Sequence, residues 1–187
     1  MIHPDYGPAP IRNRMEQIVK QLLSLIVLSF TLAAACAARA APLPDFPGIE
    51  SVPFTPDMNF GGFFKQHQPV KIVFGVADPG NQLKESLINA AATVRYLKSK
   101  GYRYEIQFVL YGTAVLTADA WKQKYSSYDA QFQALHEQGV QFRVCHASMY
   151  SLHIASGDVY SYMKVVPAGI LQLAKKQMQG YAYISNR

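Results

Sequence analysis

Residues 70–101 read VKIVFGVADPGNQLKESLINAAATVRYLKSKG. Val70 to Val76 is a run rich in β-branched side chains that ends at the turn formers Asp78-Pro79-Gly80, the pattern of a buried strand followed by a turn. Asn81 stands where a helix N-cap belongs. Leu83, Leu87, Ala90, Ala91, Val94 and Leu97 then recur at three- and four-residue spacing before Gly101. That spacing predicts an amphipathic helix of about twenty residues with a glycine stop. A buried strand feeding a helix of this length is how a parallel sheet begins.

The alternation continues downstream. Tyr104–Leu110 (YEIQFVL) reads as a second strand, ending at Tyr111-Gly112, and Thr113 is placed to cap a short helical turn. Trp121–Tyr128 reads as irregular. Ala130, Phe132, Ala134 and Leu135 belong to a helix that stops near Gly139, and Val140–Val144 (VQFRV) is a third strand running directly into Cys145. A short helix is expected over Ser148–Ile154, closed by Gly157, and a brief strand over Met163–Val166. Pro167 sits where a helix start tolerates proline. Ile170, Leu171, Leu173, Ala174 and Met178 give the final helix its apolar side before Gly180, and Tyr181–Ile184 is the last strand. Strands and helices in this order predict one α/β domain of about 120 residues, with a mostly parallel sheet and helices on both faces.

The 187 residues are half apolar, 12% aromatic and 16% charged, which excludes a disordered tail and a disulfide-stapled miniprotein. The net charge of +6 falls to +4 once residues 1–40 are set aside, leaving 14 basic and 10 acidic side chains. The longest basic run is the pair Lys175–Lys176, so there is no stripe able to neutralise several phosphates at once, and nucleic-acid binding is not expected.

Residues 22–35 (LLSLIVLSFTLAAA) carry no charge, follow Arg12, Arg14 and Lys20, and precede Ala38-Arg39-Ala40. This is the layout of a secretory signal peptide with cleavage after Ala40, which predicts a periplasmic or secreted protein with no membrane association once the leader is gone. Met15 is an alternative start. Two competing readings are a retained anchor over 21–38 and lipid attachment at Cys36, whose preceding Leu32 lies one place too far out. Residues 41–69 hold six of the eleven prolines, interleaved with five phenylalanines. They read as an extended arm, either a linker or a segment that packs across a subunit or a neighbouring protomer. The domain proper is then 70–187.

In open α/β sheets ligands bind outside the carboxyl ends of the strands. That rule collects Asp78 and Asn81 after the first strand, Tyr111 after the second, and Cys145 with His146 after the third. The two cysteines are Cys36 and Cys145, and cleavage of the leader leaves Cys145 alone. Placed before a helix start, Cys145 would form a stabilised thiolate, with His146 adding to the effect if it faces the sulfur. The competing reading is a small, packed apolar residue. His146 and His153, seven apart, would share one side of a continuous helix, but no fourth ligand stands at useful spacing and no metal site is expected. Glycine patterns for dinucleotides or phosphates are absent, and no cofactor is expected. His67 and His136 read as surface residues, and Tyr150, Tyr160 and Tyr162 as core or interface packing.

The segments VKIVFGVADPGNQLKESLINAAATV, FVLYGTAV, QALHEQGVQFRVCHASM and KVVPAGILQLAKKQMQGYAYI resemble the DsrE/DsrF-like family of small sulfur-relay proteins over roughly residues 70–185. The resemblance implies a flavodoxin-like three-layer α/β/α fold with a five-stranded parallel sheet. It also implies assembly into trimers or hexamers and, in sulfur-transferring members, a cysteine that carries sulfur as a persulfide; here only Cys145 can take that role. The expectation is an exported sulfur carrier that loads from or delivers to a thiol or sulfur-donor protein, with Asp78, Asn81 and Tyr111 shaping the pocket. The alternatives are a binding or assembly module of the same fold and a thiol redox sensor.

Overall fold

The computed structural model describes residues 42–51 and 61–187. The leader read over 1–40 lies outside the described residues, as does part of the Pro/Phe-rich arm. Strands β1 (Val70–Val76), β2 (Tyr104–Leu110), β3 (Gln141–Cys145), β4 (Lys164–Val166) and β5 (Ala182–Ile184) form one sheet in the order β4-β3-β2-β1-β5. Every pairing in it is parallel. The helices are α1 (Gly61–Gln66), α2 (Asn81–Ser99), α3 (Asp129–Glu137), α4 (His146–Ser151) and α5 (Gly169–Met178). The chain therefore has the five-stranded parallel α/β fold that its strand–helix alternation predicts.

Side chains alternate across a strand, so each strand serves two faces. The front face presents Phe74, Phe108 and Phe142 in direct register on β1, β2 and β3. Their rings lie 4.8 Å and 5.2 Å apart, and Phe132 of α3 meets Phe142 edge-on at 5.1 Å. Leu83, Leu87, Ala90, Ala91, Val94 and Leu97 of α2 are all buried, as their spacing predicts. Each fully buried leucine in this layer contributes roughly 1.5–3 kcal/mol relative to exposure.

The back face is thinner. Its apolar cluster consists of Val73, Val109, Leu173 and Tyr181, and α5 lies over it. Several of the remaining back-face positions are polar and hydrogen-bond one another. Gln172 donates to Gln107, which is 1% exposed, at 2.5 Å. Gln107 donates to Gln141 at 2.9 Å, and Arg143 also donates to Gln141 at 2.9 Å. Tyr181 donates to Glu105 and accepts from Lys176 at 3.1 Å.

Several local readings change. Gly80, not Asn81, is the N-cap of α2; Asn81 is its first residue, and the turn is closed instead by Asp78 accepting from the Gly80 N–H at 2.8 Å. Residues Gln123–Tyr128, read as irregular, form a 3-10 helix after the one at Gly112–Ala118. Helix α4 starts at His146, two residues earlier than expected, because Cys145 serves as its N-cap. His153 then takes a left-handed φ of 55°, so the helix does not carry His146 and His153 on one continuous side. Helix α5 starts at Gly169, after Pro167 and the N-cap Ala168. Of the five residues that give it its apolar side, Leu173 is buried, while Ile170, Leu171, Ala174 and Met178 are exposed.

The described part of the arm packs on its own domain. Phe46 and Ile49 are buried in the front core. Arg95 of α2 donates to the Pro44 carbonyl at 3.0 Å, pairs with Asp45 at 3.3 Å and lies over the Phe46 ring. A guanidinium that bonds the backbone on one side and stacks on an aromatic face on the other fixes the segment through both polar and apolar contacts.

Candidate functional site

Cys145 ends β3, the strand next to the edge strand β4. Its neighbours are the ends of β2, through the pairing of Val144 with Leu110, and of β4, through its own pairing with Val166. It is 4% exposed and is a free thiol. Its sulfur closes no regular capping hydrogen bond on α4. The groups that reach it, in looser geometry, are the Ser148 hydroxyl and the backbone N–H groups of Ser148, Gly169 and Ala147. Burial pushes the thiol pKa up, but these donors together outweigh it, and the net displacement is downward. The Ala147 N–H is shared with the Pro167 carbonyl at 3.3 Å. Donors converging from two separate loops, after β3 and after β4, thus stabilise the thiolate form.

Gly169 allows this approach. A Cβ at that position would stand 2.9 Å from Tyr111 Cβ, 3.3 Å from Cys145 Cβ and 3.4 Å from Val109 Cγ1. Any side chain would lift the start of α5, and its N–H, away from the sulfur. Ser148 in turn accepts from the Gly112 N–H at 2.9 Å, joining the β2 loop to the β3 loop. Beside this junction lies a cavity of about 440 Å³ lined by Gly112, Thr113, Ala147, Ser148, Ser151 and Leu152. The Thr113 and Ser151 hydroxyls donate to the carbonyls of Ala77 and Ala147, so the lining offers no charged group.

The structure brings together only part of the set selected from the sequence. Tyr111 is half-buried and lies against Gly169 beside Cys145; burial, then the charge and hydrogen bond of Tyr183, push its phenol pKa up. His146 is exposed and is not among the groups that reach the sulfur. Asp78 and Asn81 follow β1, which β2 separates from β3, so they stand two strands from Cys145, about 10 Å at ordinary strand spacing. Asp78 holds its own turn and faces Tyr128, whose hydroxyl donates to the Pro79 carbonyl at 3.0 Å. Ser148 and Gly169 were not selected from the sequence. Ser148 carried a usable signal, being three residues after the N-cap and hence in the same helical turn; Gly169 carried none, because its proximity to Cys145 is a crossing between loops.

Among the described residues, no group of three His, Cys, Asp or Glu side chains is placed to hold a metal ion, and no helix is long and apolar enough to cross a membrane.

The model of the DsrE/DsrF-like family matches residues 70–185. A solved structure of MTH1491, a protein of unknown function from Methanobacterium thermoautotrophicum, is similar at 23% identity and a TM-score of 0.50, over 60% of this chain and 96% of that one. The YchN protein of E. coli is similar at 17% identity and a TM-score of 0.45, over 60% and 95% of the two chains. No curated protein sequence matches the chain.

Proposed function

The chain belongs to the DsrE/DsrF-like family, and from that premise we propose that it is a sulfur carrier whose Cys145 holds sulfane sulfur as a persulfide. The observation that carries this reading is the set of donors around the Cys145 sulfur, which favours the thiolate despite 4% exposure. A thiolate is the nucleophilic form, and a persulfide is a reversible state of a reactive cysteine.

The chemistry balances without an external oxidant. The Cys145 thiolate attacks the outer sulfur of a donor persulfide, R–S–SH. The donor S–S bond breaks, R–S⁻ leaves, and Cys145–S–SH remains after the proton is redistributed. Delivery is the reverse step: an acceptor thiolate takes the outer sulfur and Cys145 leaves as the thiolate. The donors that stabilise the anion before loading also stabilise it as the leaving group. The uncharged cavity beside Ser148 provides room for the group that bears the incoming or outgoing sulfur. Its lack of a cation favours a thiol-borne sulfur over a free inorganic anion.

The test is intact-mass spectrometry after incubation with thiosulfate and a sulfurtransferase, whose own cysteine persulfide is then the donor. The expected result is a gain of one sulfur atom, lost on reduction and absent in Cys145→Ser. No gain in wild type would overturn the reading. The 4% exposure of the thiol favours a second reading, a binding module in which Cys145 is only packed. Slow alkylation with a pKa at or above that of free cysteine would establish that alternative. We also propose export, on the strength of the leader composition of residues 1–40. N-terminal sequencing of protein from the extracytoplasmic fraction should then begin at Ala41.

A further inference from the structure

The cations of the domain gather at one end, although no basic run in the sequence announces it. In a parallel sheet every strand starts at the same end, and the helices that cross back between strands finish there. Among the described residues, that end carries the exposed cations Lys65, Lys98, Lys100, Arg103, Lys164 and Lys175, against two acids, Glu105 and Glu137. Backbone and side-chain bonds tie its elements together. The Val70 N–H donates to the Arg103 carbonyl at 2.9 Å, Lys98 donates to Gln138 after α3, and Lys71 donates to the Gln179 carbonyl after α5 at 3.4 Å. The opposite end, where Cys145 lies, has four cations against five acids, among them Asp78, Asp119 and Asp158. The positive charge is thus held away from the thiol, about 20 Å along a seven-residue strand. Helix dipoles explain part of this: Lys65, Lys98 and Lys175 lie in the last turns of α1, α2 and α5, where a cation faces the negative end. They do not explain Arg103, just ahead of β2, or Lys164, the first residue of β4.

We infer that this end of the domain docks on an anionic phospholipid bilayer, with Cys145 turned to the aqueous side. Basic side chains near an anionic leaflet are attracted to it, and apolar side chains among them enter the head-group region. Both kinds are present here. Phe63 of α1 is 60% exposed and Met178, the last residue of α5, is 89% exposed. Helix α1 is held at this end by Tyr102, whose hydroxyl donates to the Gly61 carbonyl at 3.0 Å. Arg95, in the penultimate turn of α2, holds the Pro44 carbonyl, so the chain that continues from the leader enters the domain on this side. Nucleic acid is the competing polyanion. From Lys164 at β4 to Lys65 ahead of β1 the cations extend across four strands, about 14 Å at ordinary spacing, as a flat array rather than a groove that tracks one backbone. The leader alone predicts that the chain leaves the membrane on cleavage; the basic end predicts that it stays at the surface. The inference rests on the placement of charge, and holds whether or not Cys145 carries sulfur.

Flotation of the purified full chain with vesicles of phosphatidylcholine, alone or mixed with phosphatidylglycerol, tests it. An uncharged apolar segment acts alike on both, so the expected preference for the anionic vesicles, weakened by salt, reads the basic side chains. Because the leader also carries Arg12, Arg14, Lys20 and Arg39, two variants of equal net charge locate the effect. Lys98→Gln, Lys100→Gln, Arg103→Gln should weaken binding to the anionic vesicles about 100-fold, or roughly fivefold per cation. Lys84→Gln, Lys122→Gln, Lys124→Gln, at the thiol end, should change it by less than about twofold, because those charges lie beyond the screening length. Circular dichroism of both should match wild type, since all six side chains are exposed. The pair Lys164→Gln, Lys175→Gln, on other elements of the basic end, should weaken binding about 25-fold and repeats the test should the first variant fail to fold. Equal losses in the two triple variants, or no preference for phosphatidylglycerol, would overturn the inference. Binding to duplex DNA tighter than to the anionic vesicles, and lost in the first variant, would overturn it in favour of nucleic acid.

Discussion

The two faces of the sheet are built on different principles, though they share the same five strands. On the front, Phe74, Phe108 and Phe142 stack in register beneath α2 and α3, and the Phe46 side chain seals one margin. On the back, Val73, Val109, Leu173 and Tyr181 share the space with Glu105, Gln107, Gln141, Arg143, Gln172 and Lys176. The front gains its stability from non-directional burial, which tolerates the loss of any one hydrogen bond. The back depends on mutual satisfaction of polar groups, which is costly to interrupt and adds less per residue. Cys145 has back-face parity at the strand end where α5 begins, but it packs with the front cluster, so the candidate site stands where the two layers meet.

Four substitutions would break or sharpen this contrast. Phe108→Ala, at the centre of the front stack, should lower unfolding stability by about 3–5 kcal/mol in a urea titration, because three elements cannot collapse into the space together. A loss near 1 kcal/mol would mean the front is not the dominant layer. Gly169→Ala should cost about 1–3 kcal/mol through the contact with Tyr111, and should also raise the Cys145 thiol pKa, read from the pH dependence of iodoacetamide alkylation. A stability loss with unchanged alkylation would separate the two roles. Tyr181→Phe should cost about 1–2 kcal/mol, since Glu105 and Lys176 lose a shared partner. Met178→Gln should change the stability of the single chain by less than about 0.5 kcal/mol.

The thiol adds a pH dependence of defined sign. Its pKa is lowered in the folded state by the surrounding donors acting against burial. The linked stability is therefore present above the unfolded thiol's pKa and is lost as pH falls through the folded value. Wild type should gain stability relative to Cys145→Ala as pH rises through that alkaline window, as measured by urea midpoints at matched ionic strength. A difference that is flat with pH would show that the donors do not act on the thiol.

Much of the fold was legible in the sequence because the front layer follows simple periodicity. The α2 positions recur at helical spacing, and the strands are short β-branched runs between glycine stops. Helix α5 marks the limit of that reading: periodicity reports which side of a helix is apolar, not which side meets the domain, and here the apolar residues other than Leu173 face outward. The candidate site divided in the same way. Cys145 and Tyr111 follow from the rule about strand ends, which needs only the order of elements. His146 is exposed and is not among the groups that reach the sulfur, and Asp78 and Asn81 stand apart from it by the strand order.

By itself, then, the sequence determined the alternation of strands and helices, the apolar face of α2, and the position of the single cysteine of the domain at a strand end. These are local properties of spacing and side-chain type. The tertiary structure decided which loops converge on that cysteine. Ser148 reaches its sulfur from the next turn of the chain, but Gly169 reaches it only because β4 pairs with β3, and a glycine permits an approach that any Cβ would prevent. Such convergence depends on strand order and on distances between residues remote in sequence, which no local pattern encodes.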